Sequence, residues 1–376
     1  MSGAAGQDAA PPTTYAAAGV DVEAGDRAVA LMRAAVAATH GPQVLGGIGG
    51  FAGLYDASRL LGLRRPLLAT STDGVGTKVA IARAMDEHGT IGQDLVAMVV
   101  DDLVVCGAEP LFMTDYVACG RVVPERIAAV VAGIARACTE VGAALVGGET
   151  AEHPGLLGPD EYDVAGAATG VVEADDLLGP DRVRDGDAVV ALASSGLHSN
   201  GYSLVRRVVA DAGWSLERHV PELGRALGEE LLEPTRLYAR PCLALARDPR
   251  CGVRAFSHVT GGGLAANLAR VLPPGLDAEV DRATWTPPPV FSLVRDLGRV
   301  PPEDVERTLN QGVGMVAVVA PDGVDAVLRS LSAAGVPAWV AGRVTASRST
   351  GSPDGAVRGA KGVDGGGVRL VGTHPA

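Results

Sequence analysis

A run of apolar residues leads directly into side chains that could bind a metal ion and phosphates. The segment Pro66–Ala69 is followed by the sequence TSTDGVGTK, which ends at Lys78. A carboxylate offers a hard oxygen ligand, glycines let backbone N–H groups approach an anion, and a lysine supplies positive charge. This combination predicts a nucleotide-phosphate site that contains Asp73, Gly74, Gly76, Thr77 and Lys78. An ordinary surface turn has the same residue types, and the segment alone does not separate the two.

Neither of the common phosphate-binding loops is present. A Walker A lysine is followed by Ser or Thr, whereas here Thr77 precedes Lys78 and Val79 follows it. The sequence GGIGGF, at positions 46–51, lacks the G-x-G-x-x-G spacing of dinucleotide-binding proteins. We interpret it as a flexible loop that closes over phosphates. Its candidate contacts are Gly46, Gly47, Gly49 and Gly50.

Three aspartates interrupt an otherwise apolar helical segment. Asp94, Asp101 and Asp102 lie within Ile91–Val105. At 3.6 residues per turn, Asp94 and Asp101 project within about 20° of each other, and Asp102 lies about a quarter turn away. Carboxylates on one helix face repel each other unless a divalent cation lies between them, so the spacing points to a metal ion. A solvent-facing acidic stripe is the alternative.

A third polar cluster lies where a predicted strand turns into a helix. The sequence SSGLHSNGYS, at positions 194–203, brings hydroxyls, an amide and an imidazole to a helix N-terminus, which attracts anions. This favours binding of a phosphate or a sugar, and His198 could protonate or orient a leaving oxygen. Helix capping by Ser and Asn is the alternative. Similar glycine-rich segments follow other predicted strands at positions 147–152 and 258–263.

Composition indicates a folded protein of two domains. The 376 residues are 47% hydrophobic and 20% charged, and no apolar run approaches the roughly 20 residues of a membrane span. A net charge of −12 argues against non-specific binding to nucleic acid. The N-terminus lacks the features of a signal peptide, and the five cysteines form no CxxC pair. We therefore expect no nucleic acid or membrane partner and a cytoplasmic location.

Helical and strand patterns alternate along the chain and predict an α+β fold. A segment rich in Asp, Gly and Pro, at positions 173–187, marks the best domain boundary. The predicted division is a disordered tail over 1–14, an N-terminal domain over 15–175, a C-terminal α/β domain over 176–346 and a disordered tail over 347–376. Because the second tail is rich in glycine and lacks apolar periodicity, we expect its deletion to change activity and stability little.

The predicted helices and strands place the polar clusters at strand ends. The helices cover 23–39, 91–106, 124–141, 203–212, 262–271, 289–298 and 323–334. The strands cover 66–72, 111–118, 143–147, 163–172, 188–193, 253–258, 314–320 and 338–342.

These clusters, in this order, closely resemble the phosphoribosylformylglycinamidine cyclo-ligase family, also called aminoimidazole ribonucleotide synthetases. The resemblance covers nearly the whole chain. Its segments lie at 15–21, 46–51, 72–78, 91–110, 147–152, 162–166, 195–206, 260–263 and 310–315. The chain departs from the family pattern in two places: Asp101 stands where the family usually has Asn, and Leu197 where it usually has Pro. An ionised Asp cannot donate the hydrogen bond that an Asn can.

The resemblance implies an ATP-dependent enzyme of purine biosynthesis that uses Mg²⁺. It implies Asp73 and Asp102 as metal ligands, with Asp94 as a further ligand or a nucleotide contact. Lys78 and the glycine loop would face the ATP phosphates, and Lys78 and His198 are the catalytic candidates. The implied contacts to the ribonucleotide substrate are Ser199, Asn200, Thr260, Gly261 and Gly262. The resemblance also implies a homodimer in which the N-terminal domains contribute strands to a dimeric β-barrel.

Other functions remain open at this point. Selenophosphate synthetases and thiamine-monophosphate kinases belong to the same superfamily and also use ATP. The first would need a reactive Cys near the glycine loop and the second usually carries a Gly-Asp-Asp run, and the sequence has neither. A catalytically silent nucleotide-binding regulator is a further alternative, against which the retained Asp73, Lys78, Asp102 and His198 speak.

Overall fold

Two β-sheets, one from each half of the chain, organise the computed structural model, which describes residues 19–347, 356–358 and 362–375. The helices are α1 Val22–Ala37, α2 Val79–Met85, α3 Ile91–Val104, α4 Pro124–Val141, α5 Tyr202–Asp211, α6 Leu227–Leu231, α7 Ala239–Arg247, α8 Gly263–Ala269, α9 Pro289–Gly298, α10 Pro302–Thr308 and α11 Val324–Ala333. The strands are β1 Val44–Leu45, β2 Leu54–Tyr55, β3 Pro66–Gly74, β4 Glu109–Cys119, β5 Ala144–Glu152, β6 Tyr162–Glu173, β7 Ala188–Ala193, β8 His219–Val220, β9 Arg225–Ala226, β10 Val253–His258, β11 Leu276–Asp281, β12 Val313–Val319, β13 Ala338–Ala346, β14 Val357–Arg358 and β15 Gly367–Val371.

The first sheet has the strand order β3-β6-β4-β5. Its pairs are antiparallel except β4 and β5, which run parallel and are connected through helix α4. Alternate residues of the strands, such as Met113, Val117 and Ala168, point into the core with α3 and α4. The two helices approach closely at Gly92, where a Cβ atom would lie 2.1 Å from the backbone nitrogen of Ile134.

The opposite side of this sheet exposes apolar and small side chains. We call it the outer face; it includes Leu68, Thr70, Thr114, Tyr116, Ala165 and Ala167. Cross-strand pairing places Tyr116 opposite Ala165 and Thr114 opposite Ala167. Leu68 is 66% exposed and Tyr116 is 41% exposed. Exposed apolar residues on a β-sheet face are typical of a surface that packs against another element or another chain.

The second sheet has the strand order β10-β12-β7-β13-β11-β15-β14. Its five central strands carry the apolar side chains of a second core, including Val189, Val316, Val318 and Val344. Apolar residues fill every position of β12, since helices or neighbouring segments cover both of its sides. The mixed α/β architecture agrees with the predicted fold class, and the two sheets lie on either side of the predicted boundary near residue 175.

The predicted elements agree with the structure where apolar periodicity is strong. Helices α4 and α9 and strands β7 and β10 have the predicted bounds. Strand β11 was not predicted, because its sequence LDAEVD carries three acidic residues that mask the strand pattern. Helix α7 was not predicted either, since it is short and contains Pro241 near its first turn.

The prediction of a disordered tail over 347–376 is wrong for much of that segment. Strand β15 pairs in parallel with β11 along its whole length, and Val368 is fully buried. The glycines that suggested disorder allow this close approach: a Cβ atom on Gly366 would lie 1.9 Å from the carbonyl oxygen of Leu276. Positions 348–355, 359–361 and 376, and the predicted tail over 1–14, lie outside the described residues.

No helix in the described part of the chain is both long and apolar enough to span a membrane.

Because β15 is part of the core, we expect Val368→Ala to lower the free energy of unfolding by about 2 kcal/mol. Val363→Ala is a matched control, since Val363 lies in the same segment and is 40% exposed. Chemical denaturation of both variants measures the difference. Equal stability of the two variants would restore the interpretation of the tail as disordered.

Candidate functional site

A buried lysine ties the two halves of the chain together. The side chain of Lys78 has no exposure, and its Nζ lies 2.9 Å from Asp94 Oδ1. The same ammonium donates to the carbonyl oxygens of His198 at 3.0 Å and Glu233 at 2.6 Å. The three protons of the ammonium therefore have three acceptors.

Burial of the Lys78 ammonium costs solvation free energy, and the carboxylate of Asp94 offsets part of that cost. Burial lowers the pKa of Lys78, and the charge and hydrogen bond of Asp94 act in the opposite direction. Asp94 Oδ1 also accepts from the backbone N–H of Thr235 at 2.8 Å and from its hydroxyl at 2.6 Å. Asp94 Oδ2 is buried without a hydrogen-bond partner among the described residues. In this arrangement neither Lys78 nor Asp94 has surface that a phosphate could contact.

His198 is also an interior residue. It is 1% exposed, has a left-handed φ of 62°, and accepts a hydrogen bond at Nε2 from the backbone N–H of Ser195 at 3.2 Å. Burial, aided by the positive charges nearby, holds the pKa of His198 well below its usual value. The ring is therefore neutral, with its proton on Nδ1. Gly314 leaves the space for it, since a Cβ atom there would lie 2.4 Å from His198 Cε1.

The consecutive residues Asp101 and Asp102 have different environments. Asp101 is fully buried and accepts from the backbone N–H of Tyr238, at the N-terminus of α7, at 3.1 and 3.2 Å. Burial raises the pKa of Asp101 to about 7. A carboxylate at a helix N-terminus interacts favourably with the helix dipole. The acid at this position therefore holds α7 against α3, and its side chain does not reach the surface.

Asp102 instead faces outward beside a histidine. Its side chain is 40% exposed, and its Oδ1 lies 2.9 Å from Nδ1 of the buried His258 at the end of β10. Burial alone would lower the pKa of His258, but the hydrogen bond to Asp102 and the charges of Asp101, Asp102 and Asp73 outweigh it, and the pKa is raised. Asp73, at the end of β3, therefore belongs to the same electrostatic environment as Asp102.

Hydrogen bonds connect the predicted substrate loops to each other and to the phosphate segment. Asn200 Oδ1 accepts from the backbone N–H of Gly261 at 3.0 Å, which joins the loop after β7 to the loop after β10. The hydroxyls of Thr77 and Ser203 lie 3.4 Å apart. Gly76, Thr77 and Gly261 are exposed. Together with Asp73 and Asp102 these residues form a polar strip across the boundary between the two sheets.

The other predicted substrate contacts are mostly occupied within the protein. Ser199 and Thr260 are largely buried, at 7% and 8% exposure. The Ser199 hydroxyl lies 3.2 Å from the hydroxyl of Thr235, and that of Thr260 donates to Asn267 at 3.3 Å. Gly262 has a φ of 105° and precedes α8, a conformation that favours glycine.

The glycine loop stands apart from these residues. Gly46 and Gly49 have positive φ values of 83° and 104°, and the loop connects β1 to β2. Added Cβ atoms on Gly46, Gly47 or Gly49 would meet nothing within 4 Å. Among the described residues, no hydrogen bond or ion pair joins this loop to Lys78. The structure thus brings Lys78, Asp94 and the His198 backbone together and leaves the glycine loop open.

Sequence reasoning missed several residues of the site. His258 was noticed only as the start of a glycine-rich segment, although a histidine at the end of an apolar strand is a usable signal. Thr235 and Glu233 lie in a segment without a recognisable motif, and only the fold brings them to Lys78.

The donor set suits Mg²⁺ that arrives with a nucleotide better than a resident metal ion. The described residues contain no group of three or more His, Cys, Asp or Glu arranged to hold a metal. Protein-bound Mg²⁺ commonly keeps waters and phosphate oxygens and takes only one or two carboxylates from the protein. Asp73 and Asp102 would supply such hard oxygen ligands.

Two families of domains match the chain in succession. The AIR synthase related protein N-terminal domain matches residues 56–172, and the corresponding C-terminal domain matches residues 184–353. A phosphoribosylformylglycinamidine cyclo-ligase of Geobacillus kaustophilus is 50% identical over 331 residues, which cover 88% of this chain and 95% of the relative. One from Shouchella clausii is 49% identical over 338 residues, which cover 89% and 97%.

Solved structures share the fold at lower identity. Thiamine-monophosphate kinase from Stenotrophomonas maltophilia has a TM-score of 0.65 at 21% identity, with coverage of 93% of this chain and 97% of the kinase. The hydrogenase maturation protein HypE in complex with ATP has a TM-score of 0.57 at 17% identity, with coverage of 86% and 87%. These similarities show that the chain shares its fold with these proteins, and they do not establish which reaction it catalyses.

The buried neutral His198 predicts a pH dependence of stability. Because its pKa is depressed in the folded chain, the unfolded chain binds a proton below pH 6.5 that the folded chain does not. The stability is thus fully present above that pH and is lost as the pH falls. His198→Asn removes the titrating ring and keeps a residue that tolerates positive φ. We expect the stability of the wild type relative to this variant to shrink between about pH 8 and about pH 5. A constant difference across denaturation curves at these pH values would contradict a neutral buried imidazole.

Proposed function

Since the chain belongs to the phosphoribosylformylglycinamidine cyclo-ligase family, we propose that it converts formylglycinamidine ribonucleotide to aminoimidazole ribonucleotide, with ATP cleaved to ADP and phosphate. The observation that carries this function is the identity of 50% to a cyclo-ligase across nearly the full length of both proteins. Asp73 lies at the end of β3 and Lys78 just after it, while Asp102 lies on α3 and Asn200 follows β7. This order along the chain supports the assignment.

The chemistry needs an activated amide and a held nucleophile. An amide oxygen is a poor leaving group, and transfer of the γ-phosphoryl group of ATP to it creates a better one. The internal nitrogen can then close the imidazole ring and displace phosphate. Holding that nitrogen near the activated carbon makes the step effectively unimolecular, which is a large part of the acceleration a protein can provide.

We assign substrate and nucleotide contacts to the exposed residues of the polar strip. Gly76 and Thr77 offer backbone N–H groups and a hydroxyl just after β3. Asn200 and Gly261 lie in loops that follow strands of the second sheet, and a hydrogen bond joins them. Mg²⁺ bound with ATP would neutralise phosphate charge. Asp73 and Asp102 would hold it, and His258 orients the Asp102 carboxylate through its hydrogen bond.

We assign positioning roles to Lys78, Asp94 and His198. Their side chains are buried, and Lys78 donates to backbone carbonyls of the C-terminal half, so the ion pair fixes where the loop after β7 sits. A direct contact of Lys78 or Asp94 with ATP, as the sequence predicted, requires this pair to open. The glycine loop at 46–50 remains the candidate that closes over the phosphates.

A homodimer that uses the outer face is part of the proposal. The exposed Leu68 and Tyr116 and the small residues between them would be covered by the same face of a second copy. All five cysteines are free thiols, which supports work in a reducing cytoplasm. Recovery of the chain from an oxidising compartment with cysteine disulfides would contradict that location.

The proposed reaction predicts that ADP release depends on the ribonucleotide. We expect the purified chain with ATP and Mg²⁺ to release ADP in step with aminoimidazole ribonucleotide when formylglycinamidine ribonucleotide is added. Equal ATP turnover without it, or turnover only with thiamine monophosphate or selenide, would reject the assignment.

Substitution of neighbouring aspartates separates metal binding from structure. Asp73→Asn and Asp102→Asn should abolish turnover and remove the rise in melting temperature caused by magnesium-ATP. Asp101→Asn makes the same chemical change at a buried position and restores the residue usual in the family. It should keep turnover and the thermal shift, with equal or higher stability at neutral pH because burial disfavours the carboxylate. A normal thermal shift in Asp73→Asn would overturn its assignment as a metal ligand.

The dimer predicts a mass of about twice 38.0 kDa by light scattering at micromolar concentration. Ala165→Arg places a charge on the outer face and should reduce the mass to that of the monomer. Ala333→Arg, on the exposed end of α11, is the control and should not. A wild-type monomer with full activity would refute the dimer.

A further inference from the structure

The C-terminal segment Gly367–His374 extends beyond the region that the family domains match, which ends at residue 353. Strand β15 is anchored in the second sheet by its pairing with β11, and the backbone N–H of Gly367 donates to the carboxylate of Asp277 at 2.8 Å. Strand β15 is therefore a fixed part of the C-terminal half, and it fixes the position of the residues up to His374.

An arginine holds the turn after β15. Arg282 Nη1 donates to the carbonyl oxygens of Leu370 at 2.8 Å and Gly372 at 3.3 Å. Two hydrogen bonds to Glu306, at 2.5 and 2.8 Å, fix the guanidinium in turn. The chain end thus packs against the loop that contains Arg282 and Trp285.

His374 contacts Trp285 through its ring and through a hydrogen bond. The two ring centroids lie 4.6 Å apart in an edge-to-face arrangement. His374 Nδ1 lies 3.1 Å from the carbonyl oxygen of Arg282 and 3.2 Å from that of Trp285. Both neighbours are acceptors, so Nδ1 carries a proton and donates.

Trp285 in turn contacts the loop before β12. Its Nε1 donates to the carbonyl oxygen of Gln311 at 2.9 Å. The neighbouring Asn310 is 4% exposed, and its amide donates to the carbonyl oxygen of Gly196 at 2.9 Å. The backbone N–H of Ser194 donates to the carbonyl oxygen of Gly312 at 2.9 Å. Both ends of this loop thus hold the segment that leads to His198 and Asn200.

We propose that the C-terminal segment is a brace for the substrate loop, with His374 and Trp285 as positioning residues that act through Asn310 on Ser194–His198. The two residues touch no reacting group. They restrict the loop whose position Lys78 and Asn200 require, and the activity readout of this inference rests on the proposed cyclo-ligase function.

The test compares His374→Ala, Trp285→Phe and the control Thr373→Ala in the full-length chain. Thr373 is exposed beside His374, and its side chain makes no hydrogen bond to the described residues. Trp285→Phe keeps an aromatic ring and removes the indole donor with part of the ring, so it tests the brace even if His374→Ala folds poorly. Hydrogen exchange of the Ser194–His198 amides is measured in each variant, together with KM and kcat for formylglycinamidine ribonucleotide.

We expect faster exchange at Ser194–His198 and a KM raised about threefold to tenfold in His374→Ala and Trp285→Phe, with a smaller change in kcat and no change in Thr373→Ala. Unchanged exchange and KM in both variants would overturn the brace. Faster exchange in the two variants, together with a wild-type protein that does not convert the ribonucleotide, would refute the proposed function and leave the brace supported.

Discussion

The buried ion pair of Lys78 and Asp94 is the constraint on which the arrangement of the site depends. An ammonium with no exposure is stable only if every proton has an acceptor, and these acceptors come from α3, the loop after β7 and the segment before α7. Removal of one partner from such a pair typically costs about 3 to 5 kcal/mol. The two halves of the chain therefore cannot separate at this point without leaving a charge exposed or unpaired. The loops that carry the acceptors are held in place by the same contacts.

Burial decides how neighbouring residues divide their work. Asp101 and Asp102 are consecutive on α3, yet one is sealed against the N-terminus of α7 and the other is 40% exposed beside His258. Only the exposed carboxylate can reach a ligand. The same reasoning separates His198, whose ring is enclosed and neutral, from Asn200, which lies two residues later at the polar strip. The chemical type of each side chain made it a candidate for ligand binding. Its exposure to solvent decides whether it can contact a ligand in this structure.

Two glycine-rich segments of this chain have opposite structural environments. Gly46, Gly47 and Gly49 lie in a loop where an added Cβ atom would meet nothing within 4 Å. Gly365 and Gly366, just before β15, permit the chain to lie against backbone atoms that any side chain would strike. Composition treats the two segments alike, because low apolar content and missing periodicity describe both. Only the neighbours of each glycine distinguish freedom from close contact.

The sequence by itself determined the family, the mixed α/β architecture and the bounds of elements such as α4, α9, β7 and β10, because these follow from ordered motifs and from apolar periodicity within a few turns of chain. It also placed Asp73 directly after a strand, Asp102 within a helix and Asn200 where a strand turns into a helix. The tertiary structure decided the rest. Lys78 meets carbonyl groups 120 and 155 residues away, and these contacts turn a predicted phosphate ligand into a buried tie between domains. The strand β15 likewise exists only because β11, about 90 residues earlier, offers it an edge. Desolvation and pairing are properties of the assembled neighbours, and no local pattern contains them.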